Sequence, residues 1–485
     1  MKIHFKCLFL FPALLAGLGL ILTNPAAAQT FTTLHNFTNS LDGAGPFGNL
    51  ALSGGILYGA AFGGGTNGNG TVFSISTSGL YYTNLHSFSG LDGASPWGGV
   101  ILSGGVVYGT TFGGGTTGNG TVFAVNPNGS NFMTLHNFSA IIPGPDGFYV
   151  NSDGASPLNQ GLISSGNILY GTAGMGGTNG SGTVFSFNIA TTNFDTLYNF
   201  SLLDPRYYTN SDGGYPESGL LVSDSTLYGT TSSGGPNIGG SGTVFAISTN
   251  GTNYTVLHNF AALSGNSDGF GPAGAGLILS GNTLYGTASG GGTNGYGTIF
   301  SLNTSGTNFA VLHTFNYSDG DDPVAGLTMS GNVLFGTTEL GGTNGNGTVF
   351  SLNTDGSHFT VLHHFTELSG SGTNSDGAKP GGGLVLSGNT LYGTAQGGGS
   401  SGHGTVFSLT VVLPVSPPQL TIIPSGTNVI LNWPTNAAGF TLESTTNLAA
   451  PAVWITNAPP PVVVGTNNVV TNGITGSRKF YRLSQ

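Results

Sequence analysis

The amino-acid sequence predicts an all-β protein: a seven-bladed β-propeller closed by its N-terminal strand, followed by a small C-terminal β-sandwich. Three observations support this prediction. The 485 residues include 88 Gly and 23 Pro, which disfavours helices because Gly costs about 1 kcal/mol in a helix interior relative to Ala. Three short motifs each recur seven times. The repeat region also begins with a strand that its first unit does not need and ends one strand short.

Residues 1–28 are predicted to be a secretory signal peptide. Lys2 and Lys6 precede an apolar run from 8 to 22, and small residues follow up to Ala28, an order typical of a cleaved leader. A membrane anchor is the alternative, but this run is shorter than the roughly 20 residues that span a bilayer. Cys7, the one cysteine, lies within the leader, so the exported chain is expected to contain no disulfide.

The charge balance excludes whole classes of partner. After residue 28 the chain has five basic residues against 18 acidic ones. A nucleic-acid-binding protein needs a basic surface to neutralise phosphates, so no nucleic-acid partner is expected, and anionic membranes are disfavoured for the same reason. No later apolar stretch is long enough to span a bilayer. We therefore expect a secreted or cell-surface protein, monomeric and without a transmembrane helix.

The repeats define residues 29–412. Leu-Tyr-Gly is followed by Gly-Thr-Val/Ile-Phe and then by Leu-His-x-Phe, and successive Leu-Tyr-Gly glycines lie 50 to 62 residues apart, close to the kelch period. In the last unit, Gly388-Asn389 separates two apolar runs, which predicts a two-residue hairpin. The third strand then ends at Leu409, and the fourth strand of each unit carries Leu-His-x-Phe. Each unit is thus a four-stranded blade.

The two ends of the repeat region predict a closed ring. The exported chain starts with Phe31–Phe37, a strand of the fourth type, whereas the last unit ends at Leu409 without a fourth strand. Pairing of these two segments would complete the last blade and leave no open sheet edge between the ends.

These motifs resemble the GloVer-type tandem repeat of secreted bacterial proteins. The resemblance rests on Leu-Tyr-Gly-Thr, Gly-Gly-Thr-Asn-Gly-x-Gly-Thr-Val-Phe and Leu-His-x-Phe, and it covers residues 31 to about 411. It implies an exported repeat protein whose C-terminal region differs between members and serves as an anchor, and it supplies no catalytic residues. The unit is also similar to kelch repeats in strand order.

A Pro-rich linker is predicted at 413–418 and a small β-sandwich at 419–485. Residues 429–434, Val-Ile-Leu-Asn-Trp-Pro, resemble the strand of fibronectin type III domains that carries the core Trp. This segment has two alternative interpretations: an anchoring or sorting module, or a structural cap.

Every repeat contains an Asp-Gly pair in the loop that follows its fourth strand. One interpretation is that each Asp caps a tight turn, and the other is a ring of carboxylates that binds Ca²⁺ or a cationic ligand. The turn is favoured because Asp-Gly turns are common. The stretch densest in oxygen ligands, and hence the candidate calcium site, is Asp319, Asp321 and Asp322. The seven repeat aspartates are Asp42, Asp92, Asp153, Asp212, Asp268, Asp319 and Asp376.

Equivalent fourth-strand positions carry a histidine in six repeats and Tyr198 in the remaining one. Period-two alternation predicts that Phe309, Val311, His313 and Phe315 share one face of their strand. We expect the histidines to be structural, donating to a loop carbonyl or to the repeat Asp, since buried polar groups are normally paired. They are His35, His86, His136, His258, His313 and His363.

Two long loops are the candidate ligand-binding sites. Ser139–Gln160 and Ser201–Ser218 belong to neighbouring repeats and are expected on the same face. Aromatic faces beside a few polar groups suit sugar or peptide recognition, and function concentrates in long loops. The alternative is that these side chains only pack the two loops together. The candidate residues are Phe148, Tyr149, Arg206, Tyr207, Tyr208 and Tyr215.

Three functions remain open from the sequence. The first is a non-enzymatic module that binds an extracellular glycan or protein. The second is a polysaccharide-cleaving enzyme using Asp153 and Asp212, since glycoside hydrolysis needs two carboxylates roughly 5–10 Å apart. The third is a structural surface-layer component. Gly-x-Ser-x-Gly at 265–269 and 398–402 follows no strand-to-helix elbow, so no serine hydrolase is predicted.

Overall fold

The structure is a computed structural model that describes residues 29–144, 147–158, 161–261, 266–272, 274, 276–413, 420–434, 440–446, 453–456, 460–465, 467–473 and 479–484. Within these residues every element of regular secondary structure is a β-strand. A search of the same residues finds no helix with the length and apolarity needed to cross a membrane. The predicted signal peptide and residues 414–418 of the predicted linker lie outside the described residues.

Seven four-stranded antiparallel sheets are formed by the described residues between 30 and 410, and we number them in chain order. The first strand, β1 (Thr30–Asn36), belongs to sheet 7. Sheets 1 and 2 contain β2 (Ala51–Ser53), β3 (Ile56–Ala61), β4 (Thr71–Ser76) and β5 (Tyr82–Ser87), then β6 (Ile101–Ser103), β7 (Val106–Thr111), β8 (Thr121–Val125) and β9 (Met133–Asn137). A short hairpin of β10 (Ile142–Pro143) and β11 (Tyr149–Val150) follows.

The remaining sheets repeat this order. Sheets 3 and 4 contain β12 (Ile163–Ser165), β13 (Ile168–Ala173), β14 (Thr183–Asn188) and β15 (Asn193–Asn199), then β16 (Leu221–Ser223), β17 (Thr226–Thr231), β18 (Thr243–Ser248) and β19 (Thr255–Asn259). Sheets 5 and 6 contain β20 (Ile278–Ser280), β21 (Thr283–Ala288), β22 (Thr298–Asn303) and β23 (Ala310–Thr314), then β24 (Thr328–Ser330), β25 (Val333–Thr338), β26 (Thr348–Asn353) and β27 (Thr360–His364). Sheet 7 contains β28 (Val385–Ser387), β29 (Thr390–Ala395) and β30 (Thr405–Thr410) beside β1.

The register explains why the motifs recur together. Gly59 of Leu-Tyr-Gly pairs directly with Phe73 of Gly-Thr-Val-Phe. A Cβ atom on Gly59 would lie 2.5 Å from the Phe73 ring, so only glycine leaves room for this aromatic side chain. All six residues of β4 are buried, because each sheet packs between two neighbours. The residues of β4 are therefore buried on both faces of the strand, and the buried set includes Thr71, Ser74 and Ser76.

A β-bulge recurs between the third and fourth strands. In sheet 5, Ile299 pairs with His313 while the adjacent Phe300 pairs with Val311, which leaves Leu312 as the extra residue. A bulge changes which face the following side chains occupy. Phe309 therefore stacks on His258 of sheet 4, whereas His313 stacks on Phe359 of sheet 6. The predicted placement of Phe309 and His313 on one face is wrong for this reason.

Successive sheets meet at interfaces that we call seams. Seven buried clusters each combine apolar residues of two neighbouring sheets. At the outer part of each seam, a fourth-strand His or Tyr stacks on an aromatic ring of the next sheet, for example His86 on Phe132 with 3.5 Å between ring centroids. The arrangement of the sheets is propeller-like.

The two ends of the repeat region lie in one sheet. β1 pairs antiparallel with β30 from Thr30 with Thr410 to Asn36 with Thr405. Phe31 stacks on His363 of sheet 6 at 4.0 Å between centroids. The predicted strand offset at the two ends therefore corresponds to a real pairing.

The C-terminal part forms two further antiparallel sheets. Their strands are β31 (Thr421–Ser425), β32 (Asn428–Pro434), β33 (Thr441–Thr445), β34 (Ile455–Thr456), β35 (Val462–Val464), β36 (Asn467–Gly473) and β37 (Phe480–Ser484). One sheet has the order β31-β32-β36-β35 and the other β34-β33-β37. Leu431, Trp433 and Val470 of the first sheet form one core with Leu442 of the second. Trp433 is 1% exposed, so this Trp is a core residue.

Candidate functional site

The connections between strands separate into two faces. The loop that precedes each sheet pairs with the loop between its second and third strands, as the hydrogen bonds between Ala44 and Gly63 illustrate. We call this side the loop face. The tight turns lie together on the other side, where the N–H of Thr77 donates to the carbonyl of Gly55 at 2.9 Å. Both long candidate loops are on the loop face.

The first long loop contains the hairpin of β10 and β11. Pro143 pairs with Tyr149, and the Tyr149 side chain is 58% exposed. Phe148 is half-buried and lies against the loop of sheet 3, where a Cβ on Gly180 would be only 2.7 Å from the Phe148 Cβ. The hairpin thus packs one aromatic residue inward and presents the other to solvent.

The second long loop is held by Asp204. Its carboxylate oxygen Oδ1 accepts the N–H groups of Arg206 and Tyr207 at 2.8 and 3.2 Å, and its carbonyl accepts the N–H of Tyr208 at 2.8 Å. Tyr207 and Tyr208 are 49% and 50% exposed. The Tyr207 carbonyl also accepts the N–H of Gly239 at 3.1 Å. Two adjacent tyrosines are therefore exposed on a backbone fixed at several points.

The loop of sheet 3 connects the two candidate groups. Gly180 contacts Phe148, and the next residue, Ser181, accepts the N–H of Tyr215 at 2.9 Å. Burial, and then the charges of Tyr208 and Glu217, raise the pKa of the Tyr215 hydroxyl. Arg206 is exposed at the tip of the same loop. The candidate residues thus form a single region across sheets 3 and 4, which we call the aromatic surface.

Sequence reasoning missed the aliphatic residues of this region. They lie in the same loops as the candidate residues or in the loops that those residues contact, and exposure of an aliphatic side chain leaves no periodic signal in a loop. The exposed residues are Ile142 at 60%, Met175 at 44%, Leu202 at 38% and Ile238 at 69%.

The repeat aspartates lie at the outer seams. In six seams a carboxylate Oδ2 atom accepts a hydrogen bond from a histidine Nε2 atom, at distances from 2.9 to 3.2 Å. In the seventh seam the hydroxyl of Tyr198 donates to Oδ2 of Asp212 at 2.7 Å. Backbone N–H groups donate to the same carboxylates, as from Ser89 to Asp92 at 2.7 Å. Each Asp thus joins its own loop to the preceding fourth strand.

Burial and hydrogen bonding shift the titration of these pairs. Burial lowers the pKa of His35 and His86 and outweighs the opposite effect of their aspartates. For Asp42, burial alone would raise the pKa, but the hydrogen bonds from Thr38, together with His35, hold it below its ordinary value. His35 is consequently a neutral donor to the ionised carboxylate of Asp42 at neutral pH.

The two aspartates considered for hydrolysis are among these seam residues. Asp153 and Asp212 are 8% and 7% exposed. Asp153 accepts hydrogen bonds from His136 and Ser139, and Asp212 from Tyr198 and Ser201. Both carboxylates are thus occupied by groups of the fold.

The candidate calcium residues divide between two places. Asp319 accepts hydrogen bonds from His313 and Asn316 in a seam. Asp321 and Asp322 lie further along the loop, where the carbonyl of Asp322 accepts the N–H of Glu339 at 3.0 Å. Burial, then the charges of Glu339 and Asp321, raises the pKa of Asp322 to about 7. Within the described residues, no group of three or more His, Cys, Asp or Glu is arranged to hold a metal ion, and calcium binding stays a prediction.

An aromatic cluster lies on the loop face of sheets 1 and 2. Trp97 stacks on Phe62 with 4.7 Å between centroids and meets Phe47 edge-on at 5.5 Å. Phe47 in turn lies against Gly381 of sheet 7, where a Cβ would come within 2.2 Å of the ring. The cluster therefore joins loops of sheets 1, 2 and 7 on the loop face.

Comparison with known protein families gives a match to the Gloeobacter/Verrucomicrobia repeat over residues 15–237 and 205–407. None of the curated proteins matches the chain. Among solved structures, the chain is similar to oligogalacturonate lyase from Vibrio parahaemolyticus, with 12% identity, 79% of this chain and 93% of that chain covered, and a TM-score of 0.46. It is also similar to TolB from Acinetobacter baumannii, with 11% identity, coverage of 73% and 80%, and a TM-score of 0.33.

Proposed function

We propose that this chain, which belongs to the Gloeobacter/Verrucomicrobia repeat family, is a secreted, non-enzymatic module that binds an extracellular glycan through its aromatic surface. Residues 29–412 form a closed seven-bladed propeller of kelch-like strand order. Residues 419–485 form a fibronectin type III-like β-sandwich that anchors or sorts the protein. The exported chain acts as a monomer.

Contacts between the ends of the repeat region support closure. Besides the pairing of β1 with β30, the hydroxyl of Thr394 in sheet 7 donates to the carbonyl of Gly48 before sheet 1 at 3.4 Å. The equivalent bond links sheet 6 to sheet 7 between Thr337 and Gly382 at the same distance. The junction of the two ends therefore repeats the contact found between consecutive sheets.

The exposed pair Tyr207 and Tyr208 carries the binding proposal. Aromatic rings present an apolar face and, in tyrosine, a hydroxyl that forms hydrogen bonds. Sugar rings combine apolar C–H faces with hydroxyl groups and match such a surface. Because Asp204 and Gly239 fix the backbone of the loop, little conformational entropy would be lost on binding.

A glycan array probed with residues 29–485 tests the proposal. The variant Tyr207→Ala/Tyr208→Ala is expected to lose about 2 kcal/mol of binding free energy, roughly thirtyfold in affinity, if these rings are central contacts. The matched control is Leu80→Ala/Tyr81→Ala, an adjacent pair among the tight turns on the side opposite the loop face, where the two side chains are 75% and 74% exposed. This control should bind like the unmodified chain.

Two results would contradict glycan binding at this surface. The first is an array on which the folded chain retains no glycan. The second is a bound glycan whose affinity is unchanged in the Tyr207→Ala/Tyr208→Ala variant.

A further inference from the structure

A second tyrosine pair lies on the loop face, outside the aromatic surface. Tyr296 is in the loop between the second and third strands of sheet 5, and Tyr317 is in the loop that precedes sheet 6. Their ring centroids are 5.5 Å apart, with 56° between the ring planes. Tyr317 is 45% exposed, while Tyr296 packs against the buried cluster between sheets 5 and 6. One ring is thus held by the core and the other faces solvent.

The corresponding loops of sheets 1 and 2 have the same backbone contacts without these rings. Gly90 is the counterpart of Tyr317, since each lies two residues before the repeat Asp, and their carbonyls accept a loop N–H group at 2.9 and 2.6 Å. Asn69 is the counterpart of Tyr296. The carbonyls of this second pair accept the N–H group three residues after the repeat Asp, at 2.8 and 3.3 Å. The two tyrosines therefore replace Gly and Asn on an equivalent backbone.

Both replacements have a local cost. The φ angle of Tyr317 is 62°, and this left-handed conformation is free of strain for Gly but not for a residue with a side chain. At the position of Tyr296, Asn119 and Asn346 donate to the carbonyl two residues after their fourth strands, at 2.8 and 2.7 Å, and Tyr296 lacks this bond. Strain and broken local preferences concentrate at functional sites, which makes the exposed ring of Tyr317 a candidate contact for a ligand.

The pair offers the same chemistry as the aromatic surface. Each presents an exposed tyrosine ring, which has an apolar face and a hydroxyl group. The loops before sheets 4 and 6, which carry the exposed rings, are separated by the loop before sheet 5, so a ligand that contacts both must be extended. After residue 28 the chain has five basic residues against 18 acidic ones, which repels a polyanion. A neutral polysaccharide satisfies both conditions.

We propose that Tyr296 and Tyr317 form a second contact site for a neutral polysaccharide, which extends from the aromatic surface across the loops of sheet 5. The ring of Tyr317 stacks on a sugar ring, and Tyr296 holds Tyr317 in position. The inference rests on the proposed function, because both sites contact the same polymer. Once the aromatic surface is occupied, binding at the second site is intramolecular, so it raises the affinity for long chains and not for short ones.

A length series of neutral oligosaccharides tests the second site. Residues 29–485 are titrated with cello-, xylo-, manno- and malto-oligosaccharides, from the disaccharide to the longest soluble member, and with polygalacturonate as the anionic comparison. In the series that binds, the longest member should bind about thirtyfold more tightly than the disaccharide, and polygalacturonate should not bind measurably. Tyr317→Gly, which copies Gly90, should reduce this length preference to about threefold.

Two further variants separate binding from folding. Tyr296→Asn, which copies Asn69, should also reduce the length preference, because Tyr317 loses the ring that holds it. Leu91→Ser is the matched control, since Leu91 is 79% exposed on the loop face before sheet 2 and its counterpart in the loop of Tyr317 is Ser318. This control should keep the full length preference. Thermal unfolding identifies the variants that are folded.

The results that overturn the second site differ from those that contradict glycan binding. The second site is disproved if folded Tyr317→Gly keeps the full length preference while Tyr207→Ala/Tyr208→Ala weakens binding, and the proposed function then stands. The neutral class is disproved if polygalacturonate binds or if none of the four neutral series does. A folded chain that retains no glycan on the array contradicts the proposed function itself.

Discussion

Six seams contain a histidine and the seam between sheets 3 and 4 contains Tyr198, yet their geometries are nearly the same. Tyr198 stacks on Tyr254 with 4.0 Å between centroids, as His35 does on Tyr82. Both side chains donate to the Oδ2 atom of the following repeat Asp. The aromatic neighbour and the carboxylate therefore define the seam, and the residue between them must be flat and donate one hydrogen bond.

The two kinds of seam differ in protonation. A neutral histidine gains a proton as the pH falls below its pKa, whereas the Tyr198 hydroxyl stays protonated because burial, together with Asp212, raises its pKa. The packing of the seams should thus be equivalent, and their response to acid should not.

The largest loss of stability is expected from removing a buried phenylalanine ring from each kind of seam. Phe138 and Phe200 are both fully buried and meet Phe185 and Phe245 edge-on. Phe138→Ala and Phe200→Ala should each lower the free energy of unfolding by about 3–5 kcal/mol, measured by urea denaturation. A cost confined to one of the two would show that the seams are not equivalent in packing.

A smaller loss of stability is expected from removing only the hydrogen-bond donor, the Tyr198 hydroxyl. Tyr198→Phe keeps the stacked ring but leaves Asp212 without one hydrogen bond, which should cost about 1.5–3 kcal/mol since the acceptor is charged. Tyr198→His should restore most of this loss because six seams already use that residue. If Tyr198→His is no more stable than Tyr198→Phe, the equivalence of the two donors is disproved.

The smallest effect is the response to mild acid. Because the folded-state pKa of His35 and His86 is lowered, their contribution is complete above the unfolded pKa of about 6.5 and declines as the pH falls toward the folded value. Melting temperatures between pH 7.5 and 5 should therefore decrease, and His35→Tyr, which copies the Tyr198 seam, should flatten part of this decrease. An unchanged slope in a folded His35→Tyr variant would exclude His35 as a contributor.

A second decrease in stability, at lower pH, is expected from protonation of the carboxylates. The pKa values of Asp42, Asp153 and Asp376 are held below the ordinary value because hydrogen bonds outweigh burial. Their contribution is present above about pH 4 and is lost as the pH falls through the folded values.

Much of the repeat region was predictable because its motifs report local pairing. Gly59 and Phe73 face each other across two strands, so the recurrence of both in sequence follows from one contact. The unpaired first strand likewise predicted its partner near residue 410. Family membership, predicted from the same motifs, is confirmed by the match over most of the chain.

Other features needed the structure. Strict alternation assigned Phe309 and His313 to one face, but the bulge at Leu312 separates them, and a single extra residue leaves no mark in the strand pattern. The link between Phe148 and Tyr215 depends on the loop at Gly180 and Ser181, which belongs to neither long loop. Its two contacts involve a close backbone approach and a main-chain hydrogen bond, and neither depends on a distinctive side chain.

The pairing of β1 with β30 has a consequence for synthesis. A chain made from its N-terminus produces β1 first and β30 only after six complete sheets. Phe37 packs against Phe73 of sheet 1, which is made soon after it, whereas Phe31 packs against His363 and Phe407 of sheets 6 and 7, which are made last. Premature pairing of β1 with an earlier copy of β30, such as β4, is the error that a growing chain has to avoid.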